Sequence, residues 1–471
     1  MKISKQLLVY LSLITVTACI WLSLTFSGVL DGIEEETLRW RYLVRGELQS
    51  KAPIIYVDLD AETVSYMGDR PWDRREFGVL LHGLLGVGDA RVVSIDIILS
   101  KFGAGALLDL ERALKGDAFM GEAVEAHGQR VVLAAAYTGV KTAYGVDTAY
   151  LPLIRNDNYA TKENPFPEAP TFPIIQFDIG RLGLANVDEE LSGGTIPYFV
   201  PGFVELDSYR YSFHLIEGLR RFKDSFMNEP FLKVVGDEVV LTDKDGFTTD
   251  VLPMQHQMTI FSLGLETFLA SYGLDDKAVE IHPEALVIRS AGEVFRRIPL
   301  VDHQSIEVNW FQAWDSTIRN NRVSMQAILR NADALAAAAA SGDADGVAEL
   351  EAWFTRFKDK VVLVGAVDPL LKDISPTPFN REPVPKVGLH ANLYRTIEDE
   401  AYILRVQMPV TVGIISLLTL SVSMLALGSG VPRMLSILLL IGYGALTFMT
   451  FAQFNWILPL VAPIGSTLTA A

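Results

Sequence analysis

The chain has 471 residues, half of them apolar, a formal net charge of −17 and a single cysteine. A surplus of negative charge repels phosphate backbones, which excludes nucleic acid as an expected partner. The lone thiol, Cys19, excludes an internal disulfide, so a folded domain must be held by its apolar core, which is feasible at this length.

Leu7 to Val29 carries no charge and is long enough to cross a bilayer as a helix. Lys2 and Lys5 precede it, and basic residues favour the cytoplasmic side, so the N-terminus is expected inside and the following domain outside. Val16-Thr17-Ala18-Cys19 is similar to a bacterial lipoprotein cleavage site, but Ile20-Trp21-Leu22 prolongs the apolar run, so an uncleaved anchor is expected. Asp31 to Gln49 reads as an amphipathic helix continuing this span, stopped by Pro53.

Ile54 to Asp58 is an apolar, β-rich run suited to a buried strand. Trp72 follows within Arg70-Pro71-Trp72-Asp73-Arg74, where it either covers a ligand or packs over a helix start. Phe77, Leu80, Leu81 and Leu84 have helical spacing within Arg75–Leu85, with Gly86 and Gly88 placed to stop the helix. Arg91 to Ile97 reads as a second buried strand, so strand, helix and strand form a right-handed parallel unit. A helix near Leu107–Ala126 leads to a strand at Val131–Ala135, and Gly139 to Pro173 reads as loop. Short strands are expected near Leu232–Leu241 and Ala285–Ile288, in no order the pattern reveals. Residues 330–352 hold an alanine-rich helix interrupted at Ser341-Gly342 and read as a surface insertion.

Lys360 to Gly365 is the clearest late strand; a loop from Asp368 to Gly388 follows, then a helix from Leu389 to about Leu404 that runs into the membrane. Two further spans are expected at 406–428 and 435–453. The segment 456–471 is short and turns polar at Ser466, Thr467 and Thr469, so it reads as a terminal or unfinished fourth span. Arg433 favours a cytoplasmic turn between the second and third spans, while Arg405 weighs the other way. Lys2, Lys5 and Arg433 are the only charges outside residues 31–405, which therefore carry −20. That charge serves solubility or forms a cation-binding face. The expected class is α/β, a largely parallel sheet with flanking helices in the outer domain (31–405), plus one N-terminal and two to three C-terminal transmembrane helices.

Asp58 and Asp60 lie at the carboxyl end of the first strand, Asp96 near that of the second, and Asp368 and Asp373 after the late strand. Ligands of parallel α/β sheets bind beyond such ends, and hard divalent cations favour clustered carboxylates. Equally, each aspartate can cap a loop or helix start. His390 and Asn392, in Gly388-Leu389-His390-Ala391-Asn392, open the last outer helix. The other six histidines offer no His-x₃-His spacing, so His390 is either a buried, hydrogen-bonded histidine or a pH-sensing or ligand-contacting one. The chain contains no Gly-x₄-Gly-Lys-Ser/Thr loop, Gly-x-Ser-x-Gly elbow or His-Glu-x-x-His pair, and its cysteine lies in the first span.

These pieces share an order. Ile55-Tyr56-Val57-Asp58-Leu59-Asp60, the Pro-Trp-Asp motif, Val93-Ser94-Ile95-Asp96-Ile97, Lys360 to Ala366, Asp373 with Thr377-Pro378, and Gly388 to Asn392 lie between one N-terminal span and a C-terminal cluster of spans. In that order the chain resembles the CHASE2 group of bacterial extracytoplasmic sensor domains. The resemblance implies an outward-facing domain followed by three membrane helices and an intracellular effector such as a cyclase or kinase. No binding residue carries over from it, and no effector is legible before Ala471. The expectation is a multi-pass inner-membrane protein with an extracytoplasmic sensory domain and no enzymatic activity of its own. It would answer a small ligand or envelope component, work as a homodimer by analogy, and signal to a separate cytoplasmic effector. No cofactor is evident beyond a divalent cation. The alternative is a membrane-tethered, metal-dependent extracytoplasmic enzyme using Asp58, Asp60, Asp96 and Asp373.

Overall fold

A computed structural model of the chain describes residues 5–68, 72–99, 110–138, 169–171, 180–187, 196–206, 232–235, 238–242, 248–253, 258–301, 303–316, 320–371 and 373–470. Six of its strands run parallel: β1 (Ile54–Leu59), β2 (Val92–Asp96), β3 (Val131–Thr138), β4 (Arg181–Leu184), β5 (Asn321–Ser324) and β6 (Val361–Ala366). Their order is β5-β1-β6-β2-β3-β4, and Ala169–Thr171 adds an antiparallel edge to β3. The continuous apolar runs of β1 and β6 fit this place, since a central parallel strand is covered on both faces. The Val279–His282, Ala285–Ser290 and Glu293–Pro299 strands form a separate antiparallel meander.

The helices, in chain order, are α1 (Lys5–Phe26), α2 (Asp31–Arg45), α3 (Ala61–Met67), α4 (Arg74–Leu81), α5 (Leu110–His127), α6 (Leu263–Ser271), α7 (Met325–Ser341), α8 (Ala344–Phe354), α9 (Val387–Glu398), α10 (Met408–Ala426), α11 (Val431–Phe454) and α12 (Val461–Ala470). Alternation along the strands divides the core in two. Ile55, Val57, Val93, Ile95, Val362 and Val364 meet Phe77, Leu80, Met120, Ile328, Leu329 and Phe354 of α4, α5, α7 and α8. Ile54, Tyr56, Val92, Val361 and Leu363 face the other way, toward Leu265, Phe268, Leu389, Leu393 and Tyr394 of α6 and α9. This second core continues to Tyr42, Phe451 and Ile457, so the domain's packing reaches the ends of the membrane helices.

β1 and β2 run parallel in one sheet, with β6, more than 260 residues away in sequence, between them. The alanine-rich segment 330–352 is helical, broken at residue 342 and without a buried residue, while the helices that carry it are anchored in the sheet's core by Met325, Ile328, Leu329 and Phe354, outside that range. Two expectations change. The first span and α2 are not one helix, since a turn through Gly28, whose φ of +72° suits glycine, separates them. Likewise α9 stops at Glu398, and a non-helical link with the short strand Leu404–Arg405 precedes α10. Most of the loop expected at 139–173 and the Arg70-Pro71 pair lie outside the described residues.

Among the described residues, three helices are long and apolar enough to cross a membrane, over Val9–Phe26, Met408–Ala426 and Val431–Phe454. The ten-residue α12 spans about 15 Å, roughly half the hydrocarbon thickness. It is preceded by Trp456–Ile457, which pairs with Leu404–Arg405.

Candidate functional site

The carboxyl ends of β1, β6 and β2 meet the N-terminal half of α9. Asp58, Gly365 and Asp96 share one register across these strands, so both aspartates point to the α9 face. Gly365 makes that approach possible: a Cβ there would stand 2.5 Å from Val387 Cβ. Asp58 and Asp96 are two strands apart, roughly 10 Å, and each has its own neighbour. Asp58 accepts from Arg322 Nε at 2.8 Å. Burial pushes its carboxyl above the usual carboxylate range, opposed by that guanidinium. Asp96 faces His390, with Nε2 3.8 Å from Oδ1.

Asp60 has a different task. It caps α3, accepting from Thr63 N at 2.9 Å, Thr63 Oγ1 at 2.7 Å and Ser324 Oγ at 3.1 Å. Asp368 likewise closes a turn through Leu370 N. Asp373 lies close enough to His390 for its charge to favour the imidazolium. Among the described residues, no three His, Cys, Asp or Glu side chains are placed to hold a metal ion. The carboxylates thus divide between capping, pairing with Arg322 and facing His390. Trp72 is buried in the α4-side core and donates Nε1–H to Gly68 O at 2.9 Å, so it packs on the opposite face of the sheet from α9. Asn392 accepts from Phe311 N at 3.0 Å and donates to Gly388 O at 2.7 Å, tying α9 to the chain that crosses it.

Beside Asp58 opens a cleft lined by Tyr56, Trp310, Gln312, Trp314, Asn392 and Arg395. It encloses about 230 Å³ counting its open mouth, and its narrow part holds about one water. Trp314 forms one wall, edge-on to Tyr56 at 5.0 Å, with Arg322 4.0 Å above its ring. Sequence reading found Asn392 but missed Arg395. The signal was the i, i+4, i+7 spacing of Gly388, Asn392 and Arg395, which puts all three on one helix face. His390 lies on another face, toward Asp96. The aromatic residues Trp310 and Trp314 lacked any such marker.

The Asp96–His390 contact has a testable signature. Burial raises Asp96 to about 7, with Lys386 pulling it down, and burial lowers His390 to about 4. Burial favours the neutral form of each, so between about pH 4 and 6.5 it draws the folded pair's proton toward Asp96, while the unfolded chain holds it on His390. The raised acid loses stability as pH climbs from about 4 to 7. The lowered imidazole loses it as pH falls from about 6.5 to 4. The two slopes oppose, so this pair leaves wild-type stability nearly flat across that window. Asp96→Asn is expected to give a stability that rises with pH up to about 6.5, and His390→Gln one that falls with pH between about 4 and 7. Thermal midpoints measured from pH 4.5 to 7 check both; parallel curves for the two variants would contradict the assignment.

The chain crossing α9 also reaches the membrane helices. Asn309 N donates to Thr396 Oγ1 at 3.0 Å. Arg45 of α2 donates to Asn309 Oδ1 at 2.9 Å, to Trp310 O at 2.5 Å and to Asn455 Oδ1, at the end of α11, at 3.1 Å. Arg405 holds Glu307 through two bonds at 2.7 and 2.8 Å. Glu34 of α2 accepts from Leu460 N and Val461 N at the start of α12 and pairs with Arg41 at 2.6 Å.

A parallel α/β domain with a small, partly open cleft, wired to apolar helices at both ends of the chain, defines a membrane-associated domain built to bind or sense. A family model described as the CHASE2 domain matches residues 15–429, and the chain belongs to that family of extracytoplasmic sensory domains. No curated protein and no solved structure matches it.

Proposed function

We propose that this chain is the extracytoplasmic input domain of a transmembrane signalling protein and has no catalytic role of its own. One observation supports the reading above the rest. The segment Ser305 to Gln312 supplies two residues of the cleft, Trp310 and Gln312, and is also bound by Arg45, which reaches α11 through Asn455. A change in the cleft that shifts this segment would therefore move the contacts that hold α2 to α11. The output belongs, on this reading, to an effector that receives the signal through the membrane helices. A dimer would let such a shift be read across the bilayer as a change between copies.

Reporter fusions after residues 45, 300 and 430 test the topology. Fusions at 45 and 300 should report outside and that at 430 inside; a cytoplasmic signal at 300 would sink the proposal. Arg45→Ala tests the coupling. Hydrogen exchange around residues 452–460 should rise several-fold while the amides of β1 and β6 keep their protection. Equal protection in both proteins would remove Arg45 from the route.

A further inference from the structure

The cleft beside β1 has an imbalance of donors over acceptors. Arg395 is 4% exposed, and among the described residues no carboxylate lies within ion-pair distance of it. It donates from Nη2 to Asn320 Oδ1 at 3.3 Å, and its guanidinium lies 5.7 Å from the Tyr56 ring centre. A guanidinium offers five N–H donors and accepts nothing.

Gln312 repairs this only in one orientation, and at the expense of another contact. With its amide nitrogen toward Asn320 Oδ1, it donates to the same oxygen that Arg395 uses and turns a second donor toward the guanidinium. With the amide reversed, its oxygen accepts from Arg395 at 2.9 and 3.2 Å but then faces Asn320 Oδ1. Either way one contact is like against like. Asn320 cannot turn to help, because its Nδ2 already donates to Ala313 O at 3.1 Å and Trp314 O at 2.9 Å. Trp310, also in the lining, is 2% exposed, and among the described residues its Nε1–H has no hydrogen-bond partner. Buried donors left without acceptors are unfavourable, and native interiors normally pair them.

A small anion supplies an acceptor to the two donors of this cleft, Arg395 and Trp310. It accepts from Arg395 in the fork geometry that carboxylates match, and from Trp310 Nε1. We propose that this cleft binds the carboxylate of a small organic acid, held by Arg395 and Trp310. The enclosed part has room for about one carboxylate oxygen, so the rest of the acid lies in the open part of the cleft. A planar carboxylate enters so small a space more readily than a tetrahedral oxyanion does. The inference rests on reading the domain as a sensor and gives that sensor a ligand class. Residues 31–405 carry a net charge of −20, which repels anions at long range, so binding should strengthen as ionic strength rises from very low values.

The test uses the full chain in nanodiscs of neutral phospholipid, with acetate, succinate and benzoate as probes and chloride and phosphate as controls at matched ionic strength. Calorimetry and the thermal unfolding midpoint are read together. At least one carboxylate should bind saturably and raise the midpoint, with binding weakened tenfold or more in Arg395→Gln and measurably in Trp310→Phe. Arg395→Lys, which keeps the charge but loses the fork, should fall between. If Arg395→Gln does not fold, Trp310→Phe carries the same comparison. Three results overturn the proposal: no saturable binding by the wild type, equal binding of chloride or phosphate, or carboxylate binding unchanged in both variants. Because binding is read without any signalling output, its failure is separable from failure of the topology fusions or of the Arg45→Ala comparison, which test the sensor reading.

Discussion

Arg181→Met is expected to destabilise the domain by about 3–5 kcal/mol, the largest loss from any single polar substitution considered. Arg181 opens β4 and donates to Glu266 of α6 at 2.5 Å, and the two side chains are only 6% and 8% exposed. Removing the cation leaves Glu266 buried with no opposite charge among the described residues, and burial already pushes its carboxyl above the usual range even with Arg181 in place. The cost comes from the stranded carboxylate rather than from the lost attraction. The double variant Arg181→Met, Glu266→Leu should therefore recover most of the stability, and a well-packed apolar pair can match the ion pair. Denaturant or thermal unfolding of the four proteins in a double-mutant cycle measures this. A double variant as unstable as the single one would show that Arg181 matters for another reason.

Gly365→Ala is the second large effect, at about 2–3 kcal/mol for overpacking. The added Cβ would lie 2.5 Å from Val387 Cβ and 2.8 Å from each of its methyl carbons. Val387 is branched at that atom and is the first residue of α9, so rotation cannot clear the contact and the helix must lift. The same lift would move His390, Asn392 and Arg395 together. Gly365→Ala should thus lower the thermal midpoint and weaken any cleft ligand at once. Val387→Gly in the same chain should restore the ligand more fully than the stability, because glycine at a helix start carries its own cost. Recovery of neither would place the strain elsewhere.

Much of this protein was legible before any coordinates. Uncharged runs of about twenty residues identify membrane helices because a bilayer demands internal satisfaction of every backbone group over a fixed thickness. The apolar runs at β1, β2 and β6 identified buried parallel strands, since strands covered on both faces lose the alternation of half-exposed ones. The order of the motifs was sufficient to name the family. Each of these signals is local, or is a list of local signals in sequence.

The tertiary structure decided what local signals do not carry. Strand order is set by packing between segments hundreds of residues apart, so the insertion of β6 between β1 and β2 left no mark on either neighbour. The fate of the carboxylates followed from it: with Gly365 between them, Asp58 and Asp96 take separate partners, Arg322 and His390, while Asp60 caps α3. Arg395 reads in sequence as one more charge on an amphipathic helix. Only the approach of Trp310, Gln312 and Trp314 from another part of the chain turns it into a buried guanidinium with too few acceptors. Composition and pattern determined that a sensory domain stands on membrane helices; long-range packing decided where its cleft lies and which charge waits inside it.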